Sequence, residues 1–106
     1  MKLQRRWLNL NKESQVNLNH LIVQVGGNIV SDMDGEKVML SIKNGKYYNL
    51  GEVGGFIWGI IQHPKSIANV IEELQAAYNV TAEQCEADII PFLEMLREES
   101  LIEVYQ

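Results

Sequence analysis

Apolar side chains recur at every second position through much of residues 28–50, and from residue 51 onward they recur at three- and four-residue steps. The first regime predicts strands at 28–33, 37–42 and 46–50. Val38, Leu40 and Ile42 alternate with Met39, Ser41 and Lys43, which assigns the first three to one buried face. Asp34-Gly35 and Asn44-Gly45 are turn dipeptides, so the three strands join as an antiparallel meander. Upstream, residues 21–25 (LIVQV) also read as extended. Set off by Gly26 and Gly27, they are able to add a strand to the sheet that follows.

The second regime begins where the strand at 46–50 (KYYNL) passes through Gly51 directly into a helix. Val53, Ile57, Ile60 and Ile61 form its stripe, and Phe56 and Trp58 add bulk that only a packed interior or a partner covers. Gly54, Gly55 and Gly59 each cost that helix about 1 kcal/mol relative to Ala. Close approach of the helix to the sheet it has just left is the reason we read for them. A phosphate loop is excluded, because GEVGG has neither the GxGxxG spacing nor the Lys and Ser/Thr of a P-loop. His63-Pro64 ends this element, and Ser66 caps a second helix whose stripe is Ile67, Val70, Ile71, Leu74 and Tyr78, ending near Asn79. Thr81 and Gln84 form a capping box for a third helix that buries Cys85, Ile89, Phe92, Leu93 and Leu96. Pro91 lies inside it and is expected to kink the axis near Ala87. Residues 101–105 read as a short closing strand. The expectation is an α+β domain over 20–106, a three-stranded antiparallel β-sheet followed by three α-helices. Residues 1–19, polar and asparagine-rich, are expected to be a flexible N-terminal arm.

Composition narrows the function. With 106 residues and 46% hydrophobic side chains, one small domain with one core is expected. Residues 1–20 hold four cations against Glu13 alone, a net +3, which leaves −8 on the rest of a chain whose total is −5. An acidic body repels phosphate, so a basic or neutral peptide suits it better than nucleic acid. The N-terminal run lacks the apolar core of a signal peptide, and no apolar stretch is long enough to span a bilayer, so a cytoplasmic protein without membrane attachment is expected. Cys85 falls on the apolar stripe of the third helix and reads as core. Asp32, Asp34 and Glu36 do not match the spacing of a calcium loop, and neither His20 nor His63 has a motif-placed nucleophile beside it. No catalytic residue, cofactor site or metal site is expected.

The run Asp34-Gly35, Val38-Met39-Leu40, Gly45-Lys46-Tyr47-Tyr48-Asn49-Leu50, Gly54 and Ile57-Trp58, followed by the capped helix from Ser66 and a third helix ending in a Leu-x-x-x-x-Leu-Ile pattern, resembles the PqqD-like family. These are winged-helix-like recognition elements that bind the leader segments of ribosomally made, post-translationally modified peptides. The likeness covers roughly 20–105. It implies that a leader peptide adds as a further strand along Lys46, Tyr47, Tyr48, Asn49 and Leu50, in a groove walled by Ile89, Ile90, Leu93, Leu96 and Arg97 of the third helix. Among family members the chain looks most like the discrete proteins of lasso-peptide biosynthesis. Those present a precursor to a partner leader peptidase, with the modifying or cyclising enzyme as a further candidate partner. The alternative within the family is a PqqD proper, a peptide chaperone for a radical-SAM enzyme of quinone-cofactor biosynthesis. From another class, a winged-helix DNA-binding regulator would need a basic recognition helix, whereas residues 66–79 carry Glu72 and Glu73 with no Lys or Arg. The reading is therefore a non-catalytic adaptor.

Overall fold

Asp34 and Gly35 adopt φ of 57° and 84°, the pair of left-handed residues that a two-residue hairpin turn needs to match the twist of its strands. In the computed structural model, which describes residues 16–106, the chain runs β1 (Leu21–Gln24), β2 (Asn28–Met33), β3 (Glu36–Ser41), β4 (Lys46–Leu50) and α1 (Gly51–Ile60). It continues through β5 (Lys65–Ser66), α2 (Ile67–Ala77), α3 (Ala82–Glu98) and β6 (Ile102–Tyr105). Strands β2, β3 and β4 form the expected antiparallel meander in sequence order, and three helices follow it.

Two expectations about these strands are corrected. β1 does not extend the meander; it pairs with β6 from Leu21↔Tyr105 to Gln24↔Ile102 and with β5 at Leu21↔Ser66, making a second three-stranded sheet. Gly27, at φ 88°, redirects the chain between the two sheets, and Ile22 is fully buried. The buried face of β3 is also the opposite one. Met39 and Ser41 are buried, Val38 and Leu40 are half-buried on the other side, and Ile42 lies beyond the strand, 66% exposed. The junction after β4 explains this. Leu50 is buried where the chain turns through Gly51 (φ 72°) into α1, alternation puts Tyr48 on the same face, and register then brings in Met39 and Val30. The packing of α1 therefore selects the face, and the slightly more apolar alternation in β3 is overridden.

The close approach read from the glycines holds for two of the three. A Cβ on Gly55 would overlap the Lys37 side chain of β3, 2.8 Å from its Cβ, and one on Gly54 would come to 3.0 Å from the Phe92 ring. Gly59 meets nothing within 4 Å and has no packing reason. Ser66 Oγ accepts from the Asn69 N–H at 3.1 Å and Thr81 Oγ1 from the Gln84 N–H at 3.1 Å, so both caps form. The Gln84 side chain donates to Asp88 at 2.9 Å and so leaves the reciprocal half of the box unmade. The α2 stripe Ile67, Val70, Ile71 and Leu74 packs against the α3 stripe and against Ile57 and Ile61. α3 runs on through Pro91 to Glu98.

Of the stretch assigned to an arm, 1–15 lie outside the described residues. Residues 16–19 belong to the packed body. Val16 is buried in the core cluster, and the Leu18 and His20 carbonyls accept from Ala68 and Ile67 at 3.1 Å, clamping this segment to the start of α2.

Candidate functional site

Among the described residues, β4 has β3 on one side and no strand on the other. In an antiparallel pair alternate residues turn both N–H and C=O away from the neighbour, so Lys46–Leu50 presents a row of backbone groups available to another chain. Its side chains divide by alternation. Tyr48 and Leu50 face the body, while Tyr47, 75% exposed, and Asn49 face outward. Asn49 Oδ1 accepts from the Gly51 N–H at 3.0 Å and so supports the turn into α1.

The start of this edge is fastened to the end of α3 by a polar clasp. Glu99 Oε1 accepts from Tyr48 Oη at 2.6 Å and from Lys46 Nζ at 3.2 Å. Asn44 Nδ2 donates to the Glu99 carbonyl at 2.8 Å and to Tyr48 Oη at 3.0 Å. The Tyr48 hydroxyl, and next the Lys46 ammonium, hold the Glu99 carboxyl below its ordinary range. Lys46 is raised by its hydrogen bond to Glu99, and Tyr48 is raised by burial and then by the same carboxylate. Asn44 can reach this position because the β3–β4 connection is a four-residue loop, with register Ser41↔Lys46, where a two-residue Asn44-Gly45 turn was expected. Gly45 at φ 65° donates to the Ser41 carbonyl at 2.8 Å, and Ser41 Oγ accepts from the Asn44 N–H at 3.1 Å. Neither Glu99 nor the side-chain role of Asn44 was foreseen; they lie 55 positions apart and no motif links them.

The α3 residues assigned to the groove separate into two groups. Ile89, Leu93 and Leu96 have no exposed surface; they hold α3 against the core and offer a ligand nothing to touch. Ile90 is half-buried and lines an open cavity of about 760 Å³ with residues 16–19, Glu83, Glu86, Ala87 and Pro91. Arg97, exposed, is seven positions beyond Ile90 and thus on the same flank. The flank that ends in Glu99, which holds Lys46 and Tyr48 of β4, is marked by steps of four, seven and eleven residues back from it: Met95, Phe92 and Asp88. Phe92 is buried, while Met95 and Asp88 are half-buried. That flank of α3 thus carries a carboxylate, a thioether and, at its end, the clasp to β4.

Burial, and then the charge of Asp88, push the Cys85 thiol up, away from thiolate chemistry. Among the described residues, no group of three His, Cys, Asp or Glu side chains is placed to hold a metal ion, and no helix is long and apolar enough to cross a membrane.

Comparison with known proteins adds an independent line. The family model for Coenzyme PQQ synthesis protein D (PqqD) matches residues 36–102, from the first residue of β3 to the first of β6. No curated protein matches the chain. Among solved structures, TbiB1 in complex with the TbiA(beta) leader peptide is similar at TM-score 0.69 and 27% identity, over 79% of this chain and 98% of that one. The solution structure of the PqqD truncation of Methylobacterium extorquens PqqCD, described as a functional, stand-alone recognition element for ribosomally synthesised and post-translationally modified peptides, superposes at TM-score 0.72. It shares 15% identity, over 85% of this chain and 96% of that one, and so speaks for the fold alone.

Proposed function

This chain belongs to the PqqD family, and from that premise we propose that it is a non-catalytic adaptor that binds the leader segment of a precursor peptide as an added strand along β4. The observation that carries the reading is the unpartnered edge Lys46–Leu50 beside α3. Main-chain hydrogen bonds to that edge supply affinity, and side-chain contacts on alternate positions supply register. The site comprises Lys46, Tyr47, Tyr48, Asn49 and Leu50, with Met95, Asp88 and the Glu99 clasp on the helix side. Ile89, Leu93 and Leu96 support it from the core, and Ile90 and Arg97 stand on the far flank of α3. The similarity to a leader-peptide complex at 27% identity supports a leader as the bound chain. The likeness of residues 45–58 to the discrete proteins of lasso-peptide biosynthesis supports the lasso-type role, in which the adaptor delivers the precursor to a leader peptidase or to a modifying or cyclising enzyme. The match to the PqqD family model favours a second reading, in which the enzyme served is a radical-SAM partner of quinone-cofactor biosynthesis.

Titration calorimetry with the precursor peptide encoded beside this chain tests the binding. A dissociation constant in the micromolar range or tighter is expected, equivalent to about 8 to 10 kcal/mol. Absence of heat with that precursor at a hundred times this concentration would remove the reading.

A further inference from the structure

The meander face turned away from α1 carries one row of apolar side chains that runs across all three strands and stops at the open edge. Register sets Ile29 opposite Leu40 and Leu40 opposite Tyr47. Leu40, flanked on both sides, is half-buried; Ile29 at the β2 end is 53% exposed and Tyr47 at the β4 end is 75% exposed. The next row along the same face is Ser31, Val38 and Asn49, polar at both ends, and beyond it Met33 stands opposite Glu36. The face as a whole is therefore too polar to suit a protein laid flat across it, which would desolvate Ser31, Asn49 and Glu36 without partners. It suits something that touches the apolar row and nothing beside it. An added strand does this, because its side chains meet those of the edge strand pairwise, and one of them falls directly beside Tyr47.

We propose that Tyr47 is a specificity-determining residue. It selects peptides that place an aromatic or branched aliphatic side chain opposite it, so that the row Ile29–Leu40–Tyr47 becomes four residues wide. This rests on the strand-addition reading above and names the chemistry of the bound segment at one register position. The occupant is an extended peptide with alternating side chains: one apolar residue on the outer face beside Tyr47, and its two neighbours turned toward α3.

The test is selection of a displayed library of random peptides, long enough to cross the five-residue edge, on the parent protein and on Tyr47→Thr, Tyr47→Phe and Asn49→Pro. Tyr47 is so exposed that neither change to it threatens folding. Peptides held by the parent and by Tyr47→Phe are expected to share an aromatic or branched aliphatic residue at one fixed position. Tyr47→Thr is expected to lose that enrichment and to bind individual selected peptides about two- to fivefold more weakly, the worth of one cross-strand pair. If Tyr47→Thr retains the same preference while Asn49→Pro abolishes binding, the proposal is overturned and strand addition stands. If Asn49→Pro also leaves peptides bound, both fall. A dimer that Tyr47→Thr dissolves, with peptide selection unchanged, would give the row to a second copy of the chain and equally overturn the proposal.

Discussion

Glu99 receives a hydroxyl, an ammonium and, at its carbonyl, an amide, all from the β3–β4 hairpin. Because its pKa in the folded chain lies below its ordinary value, the stability this carboxylate contributes is complete above the usual carboxylate range and vanishes as the pH falls through the lowered value. Lys46, raised by the same contact, contributes below the usual lysine range and loses that contribution in strong base. Urea melts of the parent and Glu99→Gln are therefore expected to differ by on the order of 1 kcal/mol at neutral pH and to converge in acid below the carboxylate range. A gap that persists in acid would assign the loss to something other than the charge. The glycines give a second contrast. Gly59→Ala, into open space on a helix, is expected to stabilise by about 0.5 to 1 kcal/mol, whereas Gly55→Ala drives a methyl group into Lys37 and is expected to cost about 1 to 3 kcal/mol. Thermal melts of the pair check both signs. Close packing was legible here from composition, since three glycines in one helix need a cause. The clasp was not legible, because Glu99 reads like any exposed helical carboxylate until folding brings a hairpin 51 residues away against it.

At the scale of elements, the strands, helices and caps followed from period and turn chemistry almost position by position, as with the Asp34-Gly35 turn and the Ser66 and Thr81 caps. What failed were choices that only a neighbour can make. Which face of β3 is inside depends on how α1 leaves β4, and whether β1 joins the meander depends on β6, about eighty residues later. On α3 the buried stripe was legible, whereas Ile90 and Arg97 came only with the family resemblance and lie outside that stripe. A proline at Tyr47 or Asn49 removes an edge N–H and bends the strand as a template. One or both variants are expected to bind the precursor at least tenfold more weakly while circular dichroism stays unchanged; equal binding by both would place the peptide elsewhere. Leu93→Ala is expected to cost about 2 to 5 kcal/mol by denaturant melts, as a core residue does, and any loss of binding should track the loss of fold.

For the whole molecule, we propose that an acidic body captures an extended chain along the outer strand β4 and holds it near an enzyme, which raises the local concentration of that chain without chemistry of its own. Among the described residues both outer strands of the meander, β4 and β2, have a side without a strand, and α2 offers a further surface, so the place of binding matters as much as binding itself. Amide hydrogen exchange, read residue by residue with and without the precursor peptide encoded beside this chain, addresses place directly. The account predicts that alternate amides within Lys46–Leu50 slow by at least tenfold on binding, while those of Asn28–Met33 and of the exposed face of α2 do not change. Slowing along β2 or α2 with β4 unchanged would contradict it.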